Sequence, residues 1–167
     1  MITTTTKSVC RNLAALLSAH GVRRAVVSPG SRNAPLIVAL NRQPDIALTE
    51  VVDERSAAFV ALGMAARSGE PVAICCTSGS ALLNYAPALA EAFYRHVPLI
   101  AVSADRPSEW IDQADSQTMR QRGALSSVTK KCVDIAVDAS EVVSDRLVNE
   151  AVLSALQEPR GPVHINV

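Results

Sequence analysis

The chain has 167 residues, of which 49% are hydrophobic and 19% charged, so it can bury one continuous core and is not a disordered protein. Its 16 basic and 16 acidic residues cancel, and only 3% of its residues are aromatic. Without a basic field or a base-stacking platform, we expect no nucleic-acid partner. No apolar run is long enough to cross a bilayer, so we expect no membrane insertion.

Four cysteines stand at positions 10, 75, 76 and 132, and none forms a CxxC pair. Cys75 and Cys76 are neighbours in a predicted strand, so their side chains should point to opposite faces of the sheet. This spacing suits neither a metal site nor a disulfide framework. Since the N-terminus also lacks the pattern of a signal peptide, we expect a cytoplasmic location.

The hydrophobic pattern alternates along the chain between helical and strand periods. In chain order it predicts a helix (5–19), a strand (24–27), a helix (33–42), a strand (46–52), a helix (54–68), a strand (71–76), a helix (81–95), strands (98–103 and 130–135), a helix (144–157) and a strand (162–167). The helix over 54–68 is expected to turn its alanines, Phe59, Leu62 and Met64 inward. Residues 105–127 are irregular and polar, with a helical turn expected near 116–121.

Strands that alternate with helices, and that are apolar almost throughout, are typical of a parallel sheet covered on both faces. We therefore predict an α/β fold, a three-layer α/β/α arrangement around a mostly parallel open sheet of about six strands. No repeat or linker divides the chain, so residues 1–167 are predicted to form a single domain. The chain stops inside or at the end of its last predicted strand, which fits a natural enzyme as well as a domain excised from a longer one.

Polar, small or charged residues follow four of the predicted strands, at 28–32, 53–55, 77–80 and 103–107. The opposite strand ends show less of this chemistry. In an open parallel sheet, ligands bind beyond the carboxyl ends of the strands. This edge of the sheet is therefore the predicted site, although neither a P-loop nor a GxGxxG motif is present.

Each candidate residue at this edge has two interpretations. Glu54 starts a helix, where a carboxylate is favoured by the helix dipole, or it holds a ligand nitrogen at the mouth of the sheet. Residues 77–80 are a plain helix cap, or their backbone N–H groups meet an anion. Arg32 and Arg106 are solvated surface residues, or a clamp for a carboxylate-bearing substrate.

A set of short segments in a fixed order resembles one enzyme family. The segments are SPGSR (28–32) with PL (35–36), DER (53–55), ALG (61–63), TSG (77–79) with Asn84, PAL (87–89), EA (91–92), ADRP (104–107), and Gln117 with RQ (120–121). Together they resemble the N-terminal domain of the SEPHCHC synthase family, which are thiamine-diphosphate enzymes of menaquinone (vitamin K2) biosynthesis. The resemblance runs from about residue 8 to residue 167, and SPGSR with ADRP is its most specific part.

The resemblance implies a thiamine-diphosphate pyrimidine-binding domain within a transferase that decarboxylates 2-oxoglutarate and adds the succinyl unit to isochorismate. Glu54 would be the catalytic residue, hydrogen-bonded to a ring nitrogen of the cofactor's aminopyrimidine. The remaining cofactor-binding residues would be Gly30, Ser78, Gly79 and Asn84. The substrate-binding residues would be Ser31, Arg32, Arg106 and Gln117.

The resemblance also implies what this chain would lack. Mg²⁺ or Mn²⁺ would be bound, with the diphosphate, by a domain absent from this chain, and no residue here is expected to ligate metal. The full enzyme would be a homodimer or homotetramer, and the chain alone would be inactive. Family members tend to have asparagine where this chain has Ser116, next to Gln117. The shorter serine would lose a substrate contact or make it through water, so the role implied for Gln117 carries over less closely than that of Glu54 or Arg32.

Two other functions remain open on the sequence. The first is the same domain of another thiamine-diphosphate enzyme, of the acetolactate synthase or 2-oxoacid decarboxylase type. Those enzymes usually have a Gly-Pro-Gly turn where this chain has residues 77–80, and they lack ADRP. The second is a non-catalytic, flavodoxin-like binding module, for which Glu54→Gln would be harmless.

Overall fold

The computed structural model describes residues 4–167. The helices are α1 (Ser8–Ala19), α2 (Ala34–Asn41), α3 (Glu54–Ser68), α4 (Ala86–Tyr94) and α5 (Glu141–Leu156). The strands are β1 (Arg24–Val27), β2 (Ala47–Glu50), β3 (Val72–Cys76), β4 (Leu99–Ser103), β5 (Lys131–Asp134) and β6 (Val163–Asn166). Short 3₁₀ helices span Gly79–Tyr85, Ser108–Trp110 and Ser126–Val128.

The six strands form one sheet in the order β2-β1-β3-β4-β6-β5, and every neighbouring pair is parallel. Helices α1, α2 and α5 cover one face, and α3 and α4 cover the other. The predicted three-layer α/β/α fold with about six strands is therefore confirmed. Connections that lead toward the β5 edge of the sheet cross one face, and connections that lead toward the β2 edge cross the opposite face. Crossovers that all have the same hand require this arrangement.

Alternating side chains of the central strands fill the two hydrophobic cores. Cys75 lies in the core under α1, α2 and α5, whereas Cys76 lies in the core under α3 and α4. The predicted opposite orientation of this pair is confirmed. All four cysteines are free thiols.

Helix α3 packs on the sheet through small side chains, and this differs from the prediction for Phe59. The buried residues of α3 are Ala57, Ala58, Ala61, Leu62 and Ala65. This stripe follows the helical period and leaves Phe59 on the outer face, 46% exposed. Asp53 caps the start of α3, and Gly69, at φ 71°, ends it in the left-handed conformation.

Two predicted helical segments take other forms. The segment predicted as one helix over 81–95 is a 3₁₀ helix followed by α4, because Pro87 has no N–H and fits only the first turn of an α-helix. Near 116–121, where a helical turn is predicted, residues 116–117 form a turn but no helix, and the short 3₁₀ helices of this region lie at Ser108–Trp110 and Ser126–Val128. Within residues 4–167, no helix has the length and apolar character needed to cross a membrane.

Candidate active site at the carboxyl edge of the sheet

The connections that follow β1 and β3 leave the sheet in opposite directions. The one after β1 leads to α2 on one face, and the one after β3 leads to α4 on the other. Because β1 and β3 are neighbours, a crevice opens between their carboxyl ends, which is the usual place for a ligand in such a sheet. The predicted site is therefore centred on this switch point.

Gly30 and Thr77 meet at the switch point. A Cβ at Gly30 would lie 2.6 Å from Cβ of Thr77 and 2.9 Å from its hydroxyl oxygen. Only glycine allows this close approach of the two loops. The hydroxyl of Thr77 is buried and has no hydrogen-bond partner among the described residues.

Asn33 shapes the turn that carries Gly30 and is buried, a role that the sequence analysis missed. Its side-chain oxygen accepts from the backbone N–H of Gly30 at 2.8 Å, and its amide donates to the carbonyl of Ser28 at 2.9 Å. An asparagine at the residue before a helix was the available signal, because Asn commonly bonds to nearby backbone there.

Glu54 is the first residue of α3, but the capping group is its neighbour. The Asp53 carboxylate accepts from the backbone N–H of Ser56 at 2.7 Å. Glu54 is half-buried, and within residues 4–167 its carboxylate has no hydrogen bond or ion pair. The favourable position at the helix start remains, but capping α3 does not occupy this carboxylate.

Tyr85 brings a second buried hydroxyl to the same region. Its ring is fully buried, and its hydroxyl has no hydrogen-bond partner in the described part of the chain. The side chains of Cys76 and Ser28 lie beside this hydroxyl, and burial raises the pKa of Tyr85 well above its usual value. Cys76 in turn lies close enough to Glu54 for the negative charge of that carboxylate to help raise the pKa of the thiol. Sequence periodicity marks Tyr85 only as a core residue.

Ser78 and Gly79 are both buried, and their polar groups bond to residues 117–121. The Ser78 hydroxyl donates to the carbonyl of Gln117 at 2.9 Å, and the N–H of Gly79 donates to Oε1 of Gln121 at 2.6 Å. Ser78 therefore makes no cap hydrogen bond, and the Gly79 N–H is not free for an anion. The Ser78 hydroxyl and the Gly79 N–H therefore act neither as a plain helix cap nor as an anion site, the two roles predicted for residues 77–80. Asn84 is exposed and donates to the carbonyl of Ser80 at 3.1 Å.

A groove of about 550 Å³ runs beside the carboxyl edge, on the face covered by α1, α2 and α5. Ser31 and Arg32 line it together with Asp105 and Pro107. The SPGSR and ADRP segments, 72 residues apart in the sequence, thus border one space. Ser31 and Arg32 are exposed, which leaves the guanidinium of Arg32 accessible from the groove.

Arg106 and Gln117 lie on the long connection between β4 and β5. Arg106 forms an ion pair with Asp115 of the same connection, and its buried Nε has no partner among the described residues. Gln117 is exposed, at φ 52°, and its backbone rests on Gly79. The structure thus brings Gln117 to the switch point, whereas Arg106 already has a carboxylate partner.

Gln121 anchors a buried polar cluster, although it lies in the segment described from the sequence only as irregular and polar. The cluster also contains Ser103, Asp105, His164 and Asn166. A glutamine in an otherwise charged loop gives no sequence signal of burial, so the cluster emerges only from the fold. Burial lowers the pKa of His164 to about 4, so this imidazole is neutral at pH 7.

The residues at the switch point suit an aminopyrimidine. Such a ring offers hydrogen-bond donors and acceptors, and the unpaired carboxylate of Glu54 and the unpartnered hydroxyls of Thr77 and Tyr85 supply complementary groups. Because Gly30 has no Cβ, the backbone of its loop can lie close against Thr77. Among residues 4–167, no group of three or more His, Cys, Asp or Glu side chains could hold a metal ion.

Comparison with known proteins gives the family. Residues 7–125 match the family described as the thiamine pyrophosphate enzyme, N-terminal TPP binding domain. The chain belongs to this family. The match includes β1 to β4 and every residue proposed from the sequence for cofactor or substrate binding.

Several curated relatives of this chain bear one name, 2-succinyl-5-enolpyruvyl-6-hydroxy-3-cyclohexene-1-carboxylate (SEPHCHC) synthase. The protein of Bacteroides fragilis is 52% identical over 158 residues, which cover 93% of this chain and 28% of the relative. The protein of Porphyromonas gingivalis is 51% identical over 91% of this chain and 27% of the relative. The protein of Flavobacterium johnsoniae is 45% identical over 95% of this chain and 28% of the relative.

These relatives confirm the resemblance to SEPHCHC synthases that the ordered segments indicate. The chain spans about 28% of the length of the curated relatives it matches.

Proposed function

We propose that this chain supplies the pyrimidine-binding domain of a SEPHCHC synthase. The enzyme would be a thiamine-diphosphate-dependent transferase that decarboxylates 2-oxoglutarate and adds the succinyl unit to isochorismate. The observation that carries the proposal is the unpaired carboxylate of Glu54, which lies at a sheet switch point with two buried, unpartnered hydroxyls. The names of the relatives supply the class of product, a cyclohexene carboxylate that carries a succinyl group.

Glu54 would bind a ring nitrogen of the cofactor's aminopyrimidine. Its position supports this role, because Asp53 caps α3 and no cation or amide competes for the Glu54 carboxylate within residues 4–167. When bound, thiamine diphosphate supplies the electron sink that allows a 2-oxo acid to lose carbon dioxide. Gly30, Ser78 and Gly79 would then form the wall beside the ring.

Asn84 would complete the cofactor contacts from the exposed side of the 3₁₀ helix. Gly79 can contribute only through its Cα or carbonyl, because its N–H bonds to Gln121. Mg²⁺ or Mn²⁺ would be held with the diphosphate by a domain outside this chain, since the described residues offer no metal-binding group.

The substrates would be recognised through their carboxylates. 2-Oxoglutarate and isochorismate each carry two, and guanidinium groups bind carboxylates in a bidentate manner. Arg32 and Ser31 line an open groove, which supports a role for them in this recognition. Arg106 would have to leave its ion pair with Asp115 to bind a substrate carboxylate. Gln117, whose backbone lies against Gly79, would contact the substrate from that position.

A second subunit or domain would cover the outer face of α3. Apolar side chains are exposed on and beside α3, among them Val52 (75%) just before the helix, Phe59 (46%) on it and Leu83 (46%) in the 3₁₀ helix that contacts α3. Such a patch supports an interface, in keeping with a homodimer or homotetramer. We further propose that the enzyme works in the cytoplasm, where its free cysteines would remain reduced.

Substitution of Glu54 in the intact protein tests this assignment. Glu54→Gln keeps the size of the side chain and removes the charge, and we expect turnover to fall at least about a hundredfold with the fold intact. The matched control is Asp53→Asn, which preserves helix capping because asparagine caps as well as aspartate. Full turnover in Glu54→Gln would overturn the assignment, as would equal losses in both variants.

A further inference from the structure

The connection between β4 and β5 is held to the rest of the domain mainly by side chains. Within residues 112–123, no backbone N–H donates to another backbone group. Two of its ion pairs are internal to the connection, Arg106 with Asp115 and the exposed pair of Arg120 with Asp112. A third joins the connection to β5, but it is long, 3.7 Å between Arg122 and Asp134, and Arg122 is exposed. Its position relative to the sheet must therefore come from other contacts.

Gln121 makes those contacts and has no exposed surface. Its Oε1 accepts from the N–H of Gly79 at 2.6 Å, and its Nε2 donates to the carbonyl of Ala104 at 3.1 Å and to Oδ1 of Asn166 at 2.9 Å. One side chain thereby joins the ends of β3, β4 and β6. A buried amide with this set of partners is costly to disrupt.

The direction of these hydrogen bonds is fixed from both ends. The amide of Asn166 donates to the carboxylates of Asp105 and Asp134, which accept only, so its oxygen must face Gln121. At the other end the Gly79 N–H can only donate. Gln121 therefore needs one acceptor and two donors, and no other side chain of its length offers both.

Gln117 lies four residues before Gln121, and its backbone rests on Gly79, the residue to which Gln121 also bonds. A Cβ at Gly79 would lie 3.0 Å from the Gln117 carbonyl oxygen, and the Ser78 hydroxyl donates to that oxygen. The two glutamines thus hold the connection on Ser78 and Gly79, one through its backbone and the other through its buried amide.

We propose that Gln121 is a positioning residue that fixes Gln117 over the switch point, and with it the substrate contact of this connection. The inference rests on the proposed function for the identity of the substrates. Its structural part, that Gln121 holds the connection in place, does not depend on that function.

The test uses Gln121→Met in the intact protein, which keeps the length of the side chain and removes its hydrogen bonds. Gln113→Met is the matched control, because Gln113 is exposed on the same connection. We expect the protection of the Gly79 amide from hydrogen exchange to fall, and tryptic cleavage after Arg120 and Arg122 to speed up roughly tenfold. Unchanged protection and cleavage would overturn the proposal whatever the activity.

Kinetics separate positioning from general stability. We expect Gln121→Met to raise KM for a substrate roughly tenfold, with a smaller change in kcat, and Gln117→Ala to do the same. The double variant should lose no more kcat/KM than the larger single loss, because both act through one contact. Additive losses, or a fall in kcat alone, would overturn the positioning role.

The two proposals fail in different ways. If the wild-type protein consumes neither substrate, the proposed function is wrong, and cleavage and hydrogen exchange still decide whether Gln121 holds the connection. If the wild type is active and Gln121→Met behaves like Gln113→Met throughout, the proposed function stands and the role of Gln121 is refuted.

Discussion

Gly30 and Thr77 approach so closely that a Cβ on the glycine would lie 2.6 Å from Cβ of the threonine. The contact joins the loop after β1 to the loop after β3, the two connections that diverge to opposite faces of the sheet. It therefore sets the width of the crevice in which we propose that the pyrimidine ring binds.

Gly30→Ala is expected to destabilise the chain by about 1–3 kcal/mol, because the added methyl group would force the two loops apart. Chemical denaturation measures the change in the free energy of unfolding. The matched control is Gly63→Ala in α3, where a Cβ would meet nothing within 4 Å. In this helix interior the same substitution should stabilise by roughly 0.5–1 kcal/mol. Equal effects at the two positions would contradict the close contact.

Thiol labelling should distinguish the four cysteines. Burial raises the pKa of Cys10 to about 11 and that of Cys75 to about 12, and it raises the pKa of Cys76 as well. Thiolates react, so these three should label slowly in the folded chain at pH 8. Cys132 is only partly buried and should label first. Mass spectrometry after timed labelling checks the order, and fast labelling of Cys75 would contradict the packing of the core.

His164 should make stability depend on pH below neutrality. Its pKa is lowered by burial to about 4, so between about pH 6.5 and 4 the unfolded imidazole binds a proton that the folded one does not. The contribution of His164 is therefore complete above about pH 6.5 and is lost as the pH falls toward 4, at up to about 1.4 kcal/mol per pH unit.

Asp105 acts in the opposite direction. Burial raises its pKa, so its effect on stability is favourable at low pH and is lost as the pH rises. Comparing wild type with His164→Gln isolates the histidine, and the variant should lose less stability between pH 7 and 5. An NMR titration of the His164 ring with a midpoint near 6.5 would contradict this account.

The chain alone should bind thiamine diphosphate weakly and should not decarboxylate 2-oxoglutarate. Residues 4–167 contain no group of side chains suited to a metal ion, and the diphosphate of the cofactor needs such an ion. Calorimetry with Mg²⁺ and the cofactor measures the first expectation, and carbon dioxide release the second. Measurable turnover by this polypeptide alone would refute both the missing-domain account and the expected inactivity.

The fold could be predicted well because the strands are short, apolar and separated by helices. The predicted bounds of α3 and β1 match the structure, since Gly69 ends the helical pattern and residues 28–31 break the strand pattern. The error at Phe59 arose because a large apolar residue was assigned to the inner side along with the alanines, whereas the buried stripe of α3 consists of alanines and Leu62. Position 87 shows how one proline splits a helical pattern.

The site could be predicted only in outline. Strand ends predicted the segments that carry Gly30, Glu54 and Ser78, because the carboxyl edge of a parallel sheet brings such segments together. The binding roles of Gly30 and Ser78 came from the family resemblance. Gln121 and Tyr85 could not be found that way, since their importance depends on partners at distant sequence positions. The pairing of Arg106 with Asp115 likewise follows from the course of a long connection that has no periodic pattern.

The central claim is tested most directly by following both substrates at once. The intact protein is supplied with thiamine diphosphate, Mg²⁺, 2-oxoglutarate and isochorismate, and the loss of each substrate is measured by chromatography and mass spectrometry. The account predicts that isochorismate and 2-oxoglutarate disappear in equal amounts, with one carbon dioxide released for each pair. Decarboxylation of a 2-oxo acid that leaves isochorismate untouched, or no consumption of either substrate, would contradict it.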